Sequence, residues 1–578
     1  MRRTIKYLTP VAALAAVIFA NANAPVKAQN PPTPAPPAQA PPAGQGAGPA
    51  GQAPGGPGGF RGRGGPSPGQ VLYDDQCAGC HGKDQAGGRA PSLFDQKWLD
   101  TTTDEKIALG IKNGKPGTEM EAFKLTDEQV FQLIGHIRTQ ANAPYRPRAA
   151  FLDKPDGTVV KSEKQTFKFE TVADGLMTPW GLAFLPDGRF LVTERDGRLN
   201  VVDKAGKVTQ VTGTPKAHVQ QDGGYLDVVL HPKYAANGWI YLVYSEDQPG
   251  YVAPPPPPAP DPNAAPAAAP PGGAPGAPGG PGGFGGRGGR GGPPQVPSMT
   301  VVVRGKLSKD NAWTDNQVIF HVANDLYTTS GAHYGSRLLF DKQDHLFFAM
   351  GERNGNNPNF AQDLTKPLGK ILRMNDDGTA PKDNPFVNTP GADPRIWTYG
   401  HRNPEGLAWD PVSGALWESE HGPNTADEVN VLVKGHNYGW NLVSKQGPPQ
   451  YKSSAPDMDD PIVYFTPTFG PSGISFYTGD KYPGWKNTSL FVSGLAGQAL
   501  RRLEVKGTTV THQEVIFDNL GRVRDLKQGP DGLFYVLVQN PTGVPNPNGQ
   551  GNIALSASTP GRVVRLVPVA SAPAPAKK

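Results

Sequence analysis

The spacing of apolar positions divides the chain into a short helical part and a long strand-rich part. Before residue 142, a capping box formed by Thr126 and Gln129 precedes apolar side chains at helical spacing, namely Val130, Leu133, Ile134 and Ile137. From about residue 165 to 568, short β-rich runs are separated by Asp-Gly and Pro turns. This pattern predicts a small all-α domain followed by a large all-β domain.

The strand-rich part repeats one strand–turn–strand motif six times. The paired runs are residues 179–188 with 190–194, 224–232 with 239–244, 336–341 with 345–350, 405–411 with 415–418, 472–476 with 489–493, and 524–532 with 534–538. Repeats of this length are typical of a β-propeller. A pair of β-sandwiches is the competing fold, but it would not repeat the same motif in this way. The sequence therefore predicts an all-β six-bladed β-propeller.

The first residues are typical of a secretory signal. Basic residues Arg2, Arg3 and Lys6 precede an apolar run, and the small-residue site Val26-Lys27-Ala28 follows. Cleavage after Ala28 and a periplasmic or secreted location are therefore predicted. The apolar run is too short for a comfortable membrane span, so no integral span is expected in the mature chain, with an uncleaved anchor as the alternative.

Glycine (73 residues) and proline (64 residues) are abundant among the 578 residues but unevenly placed. They concentrate in residues 29–69 and again in residues 249–297. Neither segment can bury enough apolar surface to fold, so both are expected to be disordered, the second as an insertion in the propeller. Their Arg-Gly-Gly phrases resemble RNA-binding repeats, but secretion and a net charge of only +5 argue against a nucleic-acid partner.

Together these features give a domain order for a chain whose length suits two folded domains. The predicted order is signal peptide 1–28, Pro/Gly-rich segment 29–69, helical domain 70–142, linker 143–164, propeller domain 165–568 and disordered tail 569–578.

Both cysteines of the chain lie in the sequence Cys-Ala-Gly-Cys-His at residues 77–81. In such a C-x-x-C-H motif, Cys77 and Cys80 can form thioethers to haem while His81 binds the iron. A zinc site would need two further ligands nearby, which the chain does not supply. Met120, on a loop before the capped helix, is the expected second iron ligand, with His136 as the competitor. The all-α domain is therefore predicted to be a small cytochrome c domain with covalent haem c.

Charged and polar residues cluster at the edges of the repeated units, where propeller loops collect around one end of the channel. They occur in GAHYGSRL (331–338), GERN (351–354), YGHRNPEG (399–406), EHGPNTADE (420–428) and GRVRD (521–525). In this order, these motifs resemble those of the soluble glucose/sorbosone dehydrogenases, also called aldose sugar dehydrogenases, over about residues 165–568. The resemblance implies a six-bladed propeller that uses pyrroloquinoline quinone (PQQ) and calcium.

The resemblance also assigns catalytic roles. His333 matches the family's base, which takes the proton of the anomeric hydroxyl as hydride leaves carbon for the quinone. Glu352 matches the acidic residue that orients this histidine. Arg402 matches the arginine at the quinone oxygens, and Asn403 lies beside it. Taken alone, each has a structural alternative, such as His333 in a turn or Glu352 paired with Arg353.

Cofactor contacts follow from the same comparison of motifs. Arg522 and Arg524 match the pair that binds the PQQ carboxylates, for which a rigid guanidinium fork is suited. Their i, i+2 spacing on a strand places both on one face. The backbone oxygens of Gly422 and Pro423 match calcium ligands, and acidic or aromatic positions around the calcium sites match Asp427, Glu428 and Tyr438. The structural alternatives are inter-blade salt bridges for the arginines and turn capping for the acids.

Two positions depart from the family pattern. Asp222, preceded by Gln221, stands where many members carry a glutamine that contacts substrate. The stretch 494–498 contains no lysine, whereas some members place a cofactor-contacting lysine there. The second departure removes one positive charge from the expected PQQ pocket.

The combined motifs predict an extracytoplasmic oxidoreductase. It would oxidise the C1 hydroxyl of aldose sugars to lactones with PQQ and calcium, and pass electrons to its own haem c and then to a downstream redox protein or respiratory-chain acceptor. The alternatives are an L-sorbosone-type aldehyde dehydrogenase, a calcium-dependent lactonase, or a non-catalytic propeller binding module tethered to an electron-transfer cytochrome.

Overall fold

The computed structural model describes residues 68–82, 85, 87–93, 104–141, 152, 154–252, 295–354, 357–423, 426–444, 452, 454–465, 468–539 and 561–569. The predicted signal peptide, nearly all of the first Pro/Gly-rich segment, the centre of the second and nearly all of the C-terminal tail lie outside these residues. Within them, no helix is both long and apolar enough to cross a membrane.

The described part of the all-α domain consists of α1 (Pro68–Gln76), α2 (Ala78–His81), α3 (Asp104–Asn113) and α4 (Asp127–Ala141). The predicted capping box is confirmed, because the Thr126 amide donates to Gln129 Oε1 at 2.9 Å and the Gln129 amide donates to Thr126 Oγ1 at 3.2 Å. The four apolar positions predicted for this helix are only 1–5% exposed and pack with Tyr73 of α1. Helical periodicity therefore identified the buried face of α4.

Five antiparallel sheets of four strands form blades 1 to 5 in chain order. Blade 1 contains β3 (Pro179–Phe184), β4 (Phe190–Glu194), β5 (Arg198–Val202) and β6 (Val208–Gln210), and blade 2 contains β7 (Tyr225–Leu230), β8 (Ile240–Asp247), β9 (Ser298–Leu307) and β10 (Trp313–Phe320). Blade 3 contains β11 (Gly335–Phe340), β12 (Leu346–Met350), β13 (Lys370–Met374) and β14 (Ile396–Tyr399). Blade 4 contains β15 (Pro404–Trp409), β16 (Leu416–Glu420), β17 (Asp427–Leu432) and β18 (Val463–Phe465), and blade 5 contains β19 (Pro471–Phe476), β20 (Ser489–Gly494), β21 (Leu500–Lys506) and β22 (Thr509–Phe517).

Blade 6 joins the two ends of the domain. Its strands are β23 (Arg522–Gln528), β24 (Phe534–Gln539), β25 (Gly561–Pro568), β2 (Thr166–Leu176) and β1 (Val159–Lys161), in the order β1-β2-β25-β24-β23. The pairing of N-terminal β2 with C-terminal β25 closes the ring. Strand β1 falls within the predicted linker 143–164 and pairs with β2, so the propeller sheet begins at Val159.

The predicted six-bladed propeller is confirmed by the position of its inner strands. The repeated motifs correspond to the first two strands of each blade, namely β3–β4, β7–β8, β11–β12, β15–β16, β19–β20 and β23–β24. The apolar core lies largely between neighbouring blades, as in the cluster that packs Trp485 and Phe491 of blade 5 against Phe534 of blade 6. A short helix, α5 (Tyr234–Asn237), connects β7 to β8, and 3₁₀ turns occupy Asn324–Leu326 and Pro358–Ala361.

Antiparallel pairing determines where the loops gather. In each blade, the start of the first strand and the end of the second lie at the same end, so the residues flanking them surround one mouth of the channel. The predicted insertion leaves from this end, because Asp247 at the end of β8 pairs with Ser298 at the start of β9. The Pro/Gly-rich stretch is thus an excursion within a hairpin of blade 2.

Candidate functional site

The residues predicted to be catalytic come together at this mouth of the channel. His333 precedes β11, Glu352 follows β12, and Arg402 and Asn403 precede β15. The Glu352 amide donates to the Arg402 carbonyl at 2.9 Å, and the Gly335 amide donates to Asn403 Oδ1 at 2.9 Å. Blades 3 and 4 are therefore tied directly to each other at the site.

His333 and Glu352 form a buried pair. Nδ1 of His333 lies 2.5 Å from Glu352 Oε1, and the two side chains are 12% and 3% exposed. Burial and the positive charge of Arg402 lower the pKa of His333, against the opposing effect of Glu352. The imidazole is therefore neutral at neutral pH, and a proton held on Nδ1 by Glu352 leaves Nε2 as a proton acceptor.

Arg353 fixes the loop that carries His333. Its Nη1 donates to the Ala332 carbonyl at 2.5 Å, its Nη2 to the Ser330 carbonyl at 2.6 Å, and its backbone amide to the His333 carbonyl at 3.2 Å. The guanidinium also lies 3.4 Å from the centre of the Tyr334 ring. The alternative pairing of Glu352 with Arg353 is not what these contacts show, since Glu352 bonds His333 and Arg353 bonds the backbone. Sequence reasoning missed this role because the partners of Arg353 are carbonyl groups.

A cluster of arginines lies beside this pair, and we call Arg195, Arg522 and Arg524 the basic cluster; Arg195 and Arg524 are buried and Arg522 is partly buried. Burial and the charges of Arg524 and Arg195 lower the pKa of Arg522 to about 10. The Nε atom of each of the three has no hydrogen-bond partner within the part of the chain that the structure describes. Orphaned donors on buried cations fit an anionic ligand. Arg195, which follows β4, was not predicted from the sequence.

The two predicted arginines differ in their partners. Arg524 Nη1 lies 2.5 Å from Glu405 Oε2 of blade 4, so the alternative of an inter-blade salt bridge holds for this residue. A β-bulge falls between Val523 and Asp525, so the simple i, i+2 argument does not apply. The charge of Arg524 nevertheless contributes to the lowered pKa of Arg522, so the two arginines lie close together despite the bulge.

The predicted substrate residues border the His333 loop. The Asp222 amide donates to the Gly331 carbonyl at 2.8 Å, and its carboxylate is 53% exposed. Gln221 adopts a left-handed backbone conformation with φ of 49°. Its side-chain Oε1 lies so close to Gly331 that a Cβ atom on that glycine would come within 2.4 Å of it. These side chains lie at the mouth of the channel, where a soluble substrate can reach them.

The predicted calcium residues separate into two groups. Gly422, Pro423 and Glu428 line a pocket beside Arg402, together with Glu420, Tyr438 and Trp440. Asp427 instead accepts three backbone amides, from Gly422 at 3.0 Å, Phe469 at 2.6 Å and Gly470 at 2.7 Å. The Tyr438 hydroxyl accepts the Val433 amide and donates to the Val431 carbonyl, both at 2.8 Å. Asp427 and the Tyr438 hydroxyl therefore shape the pocket and do not face it.

Three buried or partly buried glutamates, Glu418, Glu420 and Glu428, form what we call the acidic cluster. They project from the paired strands β16 and β17, and within the described residues no lysine or arginine forms an ion pair with them. Burial and the charge of Glu420 raise the pKa of both Glu418 and Glu428 well above the usual range. Glu418 Oε1 and Asn430 Oδ1 are buried without a hydrogen-bond partner in the described part of the chain. Such orphaned oxygens fit a cation.

The helical domain presents the predicted haem residues in a suitable arrangement. Nδ1 of His81 lies 2.9 Å from the Pro91 carbonyl, which leaves Nε2 available for iron. Burial and the neighbouring Cys80 raise the pKa of the Cys77 thiol to about 11. Met120 lies between α3 and α4 against the apolar core.

The competing ligand His136 is buried inside the helical core. Its ring lies 5.2 Å from that of Tyr73, and burial lowers its pKa. The side chain is thus part of the contact between α1 and α4.

Two family models match the chain in separate regions. Residues 176–545 match the family described as Glucose / Sorbosone dehydrogenase, and residues 65–137 match Cytochrome C oxidase, cbb3-type, subunit III. The aldose sugar dehydrogenase YliI of Escherichia coli is 36% identical over 390 residues, which cover 65% of this chain and 91% of that protein. Quinoprotein glucose dehydrogenase B of Acinetobacter calcoaceticus is 26% identical over 505 residues, covering 72% and 95%.

Solved structures agree with these matches. The apo-form of the soluble aldose sugar dehydrogenase from Escherichia coli aligns with a TM-score of 0.55 at 33% identity, covering 70% of this chain and 100% of that one. The PQQ-bound aldose sugar dehydrogenase from Streptomyces coelicolor aligns with a TM-score of 0.50 at 25% identity, covering 69% and 98%.

Proposed function

The chain belongs to the glucose/sorbosone dehydrogenase family, and we propose that it oxidises the C1 hydroxyl of an aldose to the lactone with PQQ and calcium, delivering the electrons to its own covalent haem c. The observation that carries this proposal is the neutral, buried His333 bonded at 2.5 Å to Glu352, beside a basic cluster with orphaned donors. Sugar chemistry at C1 needs a proton acceptor of this kind.

His333 acts as the base in this proposal. Its Nε2 takes the proton of the C1 hydroxyl, and the carboxylate of Glu352 stabilises the imidazolium that forms. PQQ, when bound, supplies the acceptor for the hydrogen and the two electrons that leave C1, so that the lactone results. Because the His333 side chain is only 12% exposed, water competes poorly for the same proton acceptor.

The cofactors have matching sites in the two charged clusters. The basic cluster and Arg402 would hold the anionic groups of PQQ. The carbonyl oxygens of Gly422 and Pro423, with Glu428, would hold Ca²⁺ as a hard cation that polarises the quinone oxygen. Asp222 and Gln221, beside the His333 loop, would contact the sugar.

Haem c is the proposed outlet for the electrons. Cys77 and Cys80 would anchor it, and His81 and Met120 would ligate the iron, a ligand pair that raises the potential and suits an electron acceptor. From there electrons would pass to a downstream redox protein or respiratory-chain acceptor. With the predicted signal 1–28, this chemistry belongs in the periplasm or outside the cell.

The test uses the full-length, haem-loaded protein supplied with PQQ and Ca²⁺. A panel of aldoses is added, and reduction of the haem is followed by its absorbance. We expect rapid reduction with free aldoses and none with the matching methyl glycosides, whose C1 oxygen carries no proton. Absence of reduction by any sugar, although PQQ is bound, would contradict the proposal and favour a binding module. Lactone hydrolysis without haem reduction would favour a lactonase, and reduction by sorbosone alone would favour the aldehyde substrate.

A second experiment addresses the route of the electrons. A protease site is placed in residues 143–151, before the propeller sheet, and single-turnover haem reduction is compared before and after cleavage. Intramolecular transfer predicts a rate that is independent of protein concentration in the intact chain and falls after cleavage. An unchanged rate after cleavage would count against transfer within one chain.

A further inference from the structure

Arg195 is held rigidly at the edge of the site. The residue is 9% exposed, and its backbone amide donates to the Thr178 carbonyl at 3.0 Å. On the other side its carbonyl packs against Gly224, where a Cβ atom would come within 1.6 Å of the oxygen, so only glycine fits there. The loop that leads to β7 and the end of β4 are therefore locked together, and the Arg195 side chain has a fixed origin.

The Arg195 guanidinium lies among like charges. Burial and the charge of Arg524 lower the pKa of Arg195, and Arg195 in turn contributes to the lowered pKa of Arg522. Its carboxylate neighbour is Asp222, which is half exposed to solvent. Asp222 Oδ1 lies 3.9 Å from Arg195 Nη1, which is beyond hydrogen-bond distance. Glu405 is engaged by Arg524 at 2.5 Å. The three guanidinium groups thus exceed the carboxylates that meet them.

An unpaired hydrogen-bond donor of Arg195 favours an anionic ligand, as the excess positive charge does. Nε of Arg195 is buried without a hydrogen-bond partner in the described part of the chain. A buried charged donor that lacks an acceptor is costly unless a ligand provides one. A carboxylate would satisfy the guanidinium fork and the excess charge at once.

We propose that Arg195 is a third carboxylate-binding arginine of the PQQ pocket, and that it supplies the positive charge that the lysine-free stretch 494–498 lacks. The inference rests on the proposed function and adds a cofactor-binding residue to it. It explains how a chain without that lysine retains a pocket for an anionic quinone.

The test is PQQ binding by the haem-loaded, full-length protein after removal of cofactor with a chelator and restoration of Ca²⁺. Quenching of tryptophan fluorescence gives Kd without any turnover. Loss of one charge-assisted contact in Arg195→Gln should raise Kd by about ten- to a hundredfold, with Arg195→Lys intermediate. The matched control is Arg189→Gln at the opposite end of β4, where Arg189 pairs with Asp187 on the surface; its Kd should equal that of the wild type.

Compensation can be tested directly at residue 496. In the lysine-free stretch, Gly494 and Gly497 pack on Phe469, and Leu495 and Gln498 are buried, so Ala496 is the position that can extend a side chain. Ala496→Lys in the Arg195→Gln background should recover part of the lost affinity. No recovery would overturn the compensation half of the proposal.

The PQQ titration distinguishes a failure of the proposed function from a failure of the role assigned to Arg195. If the wild type takes up no PQQ, the proposed function fails. If the wild type binds PQQ and Arg195→Gln binds it with the same Kd, only the role of Arg195 is overturned. Thermal unfolding and the haem spectrum of each variant show that it is folded, and Arg195→Lys keeps the buried charge if Arg195→Gln unfolds.

Discussion

The basic and acidic clusters lie at the same end of the propeller, but the chain builds them in different ways. The basic cluster combines the end of β4 in blade 1 with β23 in blade 6, so it exists only once the ring has closed. The acidic cluster comes from two adjacent strands of blade 4, paired in register so that Glu420 faces Glu428. One cluster is therefore a product of the whole ring, and the other of a single blade.

The opposite charges of the two clusters indicate which kind of ligand each can hold. Each cluster has buried polar atoms that find no hydrogen-bond partner among the described residues, nitrogen donors in the basic cluster and oxygen acceptors in the acidic one. Since buried charges are costly when unpaired, both clusters favour ligands of opposite charge. His333 is influenced by both sides, because its pKa is affected by Arg402 beside the acidic pocket and by Asp222 beside Arg195. His333 and Glu352 thus lie near both charged clusters, as the proposed binding of an anionic cofactor and of Ca²⁺ requires.

We expect the largest effect from removing the His333 imidazole while both charged clusters stay in place. In His333→Gln we expect kcat to fall about 10³-fold, roughly 4 kcal/mol of barrier, while PQQ and Ca²⁺ affinities stay unchanged. Steady-state kinetics and PQQ titration on the same preparation measure the two effects. Loss of PQQ binding together with activity would instead make His333 part of the binding site.

The pH dependence of wild-type kcat/KM should depend on the same histidine. Because burial and Arg402 lower the pKa of His333, kcat/KM should fall only at pH values below the usual histidine pKa of about 6.5. Glu352 raises this pKa, so Glu352→Gln should move the acid limb to lower pH still, with a lower plateau. An acid limb that moves to higher pH would contradict the assigned roles.

The next largest effect should come from unbalancing the basic cluster. In Glu405→Gln the buried Arg524 loses its charged partner, and we expect the cofactor-free protein to lose about 3 kcal/mol of unfolding free energy. Added PQQ should restore more stability in this variant than in the wild type. Denaturant unfolding with and without PQQ measures both, and Glu170→Gln, which breaks the partly exposed pair with Arg565, is the control. Wild-type stability of cofactor-free Glu405→Gln would show that the cluster tolerates its own charge.

The acidic cluster should respond to pH and calcium in a way that the basic cluster does not. Glu418 and Glu428 have raised pKa values in the folded protein, so the calcium-free fold binds their protons more tightly than the unfolded chain does. Its stability should therefore decrease as pH rises above the usual glutamate pKa of about 4.3. Melting temperatures measured from pH 5 to 8 should show this slope without Ca²⁺ and a flatter one with it. Glu418→Gln should flatten the calcium-free slope; an unaltered slope would place its origin elsewhere.

Sequence and structure agree best where a pattern is local. The inner strands were predictable because they are buried on both faces and bounded by turns, whereas the outer strand β6 has only three residues, all partly or fully exposed. No local pattern shows that β2 completes blade 6. In the site, contiguous motifs identified His333, Glu352 and Arg402. Arg195 was missed because Thr-Glu-Arg-Asp-Gly is an ordinary hairpin turn until the ring brings Arg522 beside it.

The smallest expected effect concerns the loop that carries His333 between the two clusters. Arg353→Lys keeps the charge but cannot reach the Ala332 and Ser330 carbonyls together, so the loop loosens. We expect kcat to fall about tenfold with KM and PQQ affinity unchanged, since neither cluster is touched. A weaker bond to Glu352 should also lower the pKa of His333 and shift the acid limb of kcat/KM to lower pH. Arg395→Lys, at a pair with Asp393 elsewhere in blade 3, is the control. If Arg353→Lys lowers only the melting temperature and leaves kcat and the pH profile intact, Arg353 stabilises the fold and does not position the base.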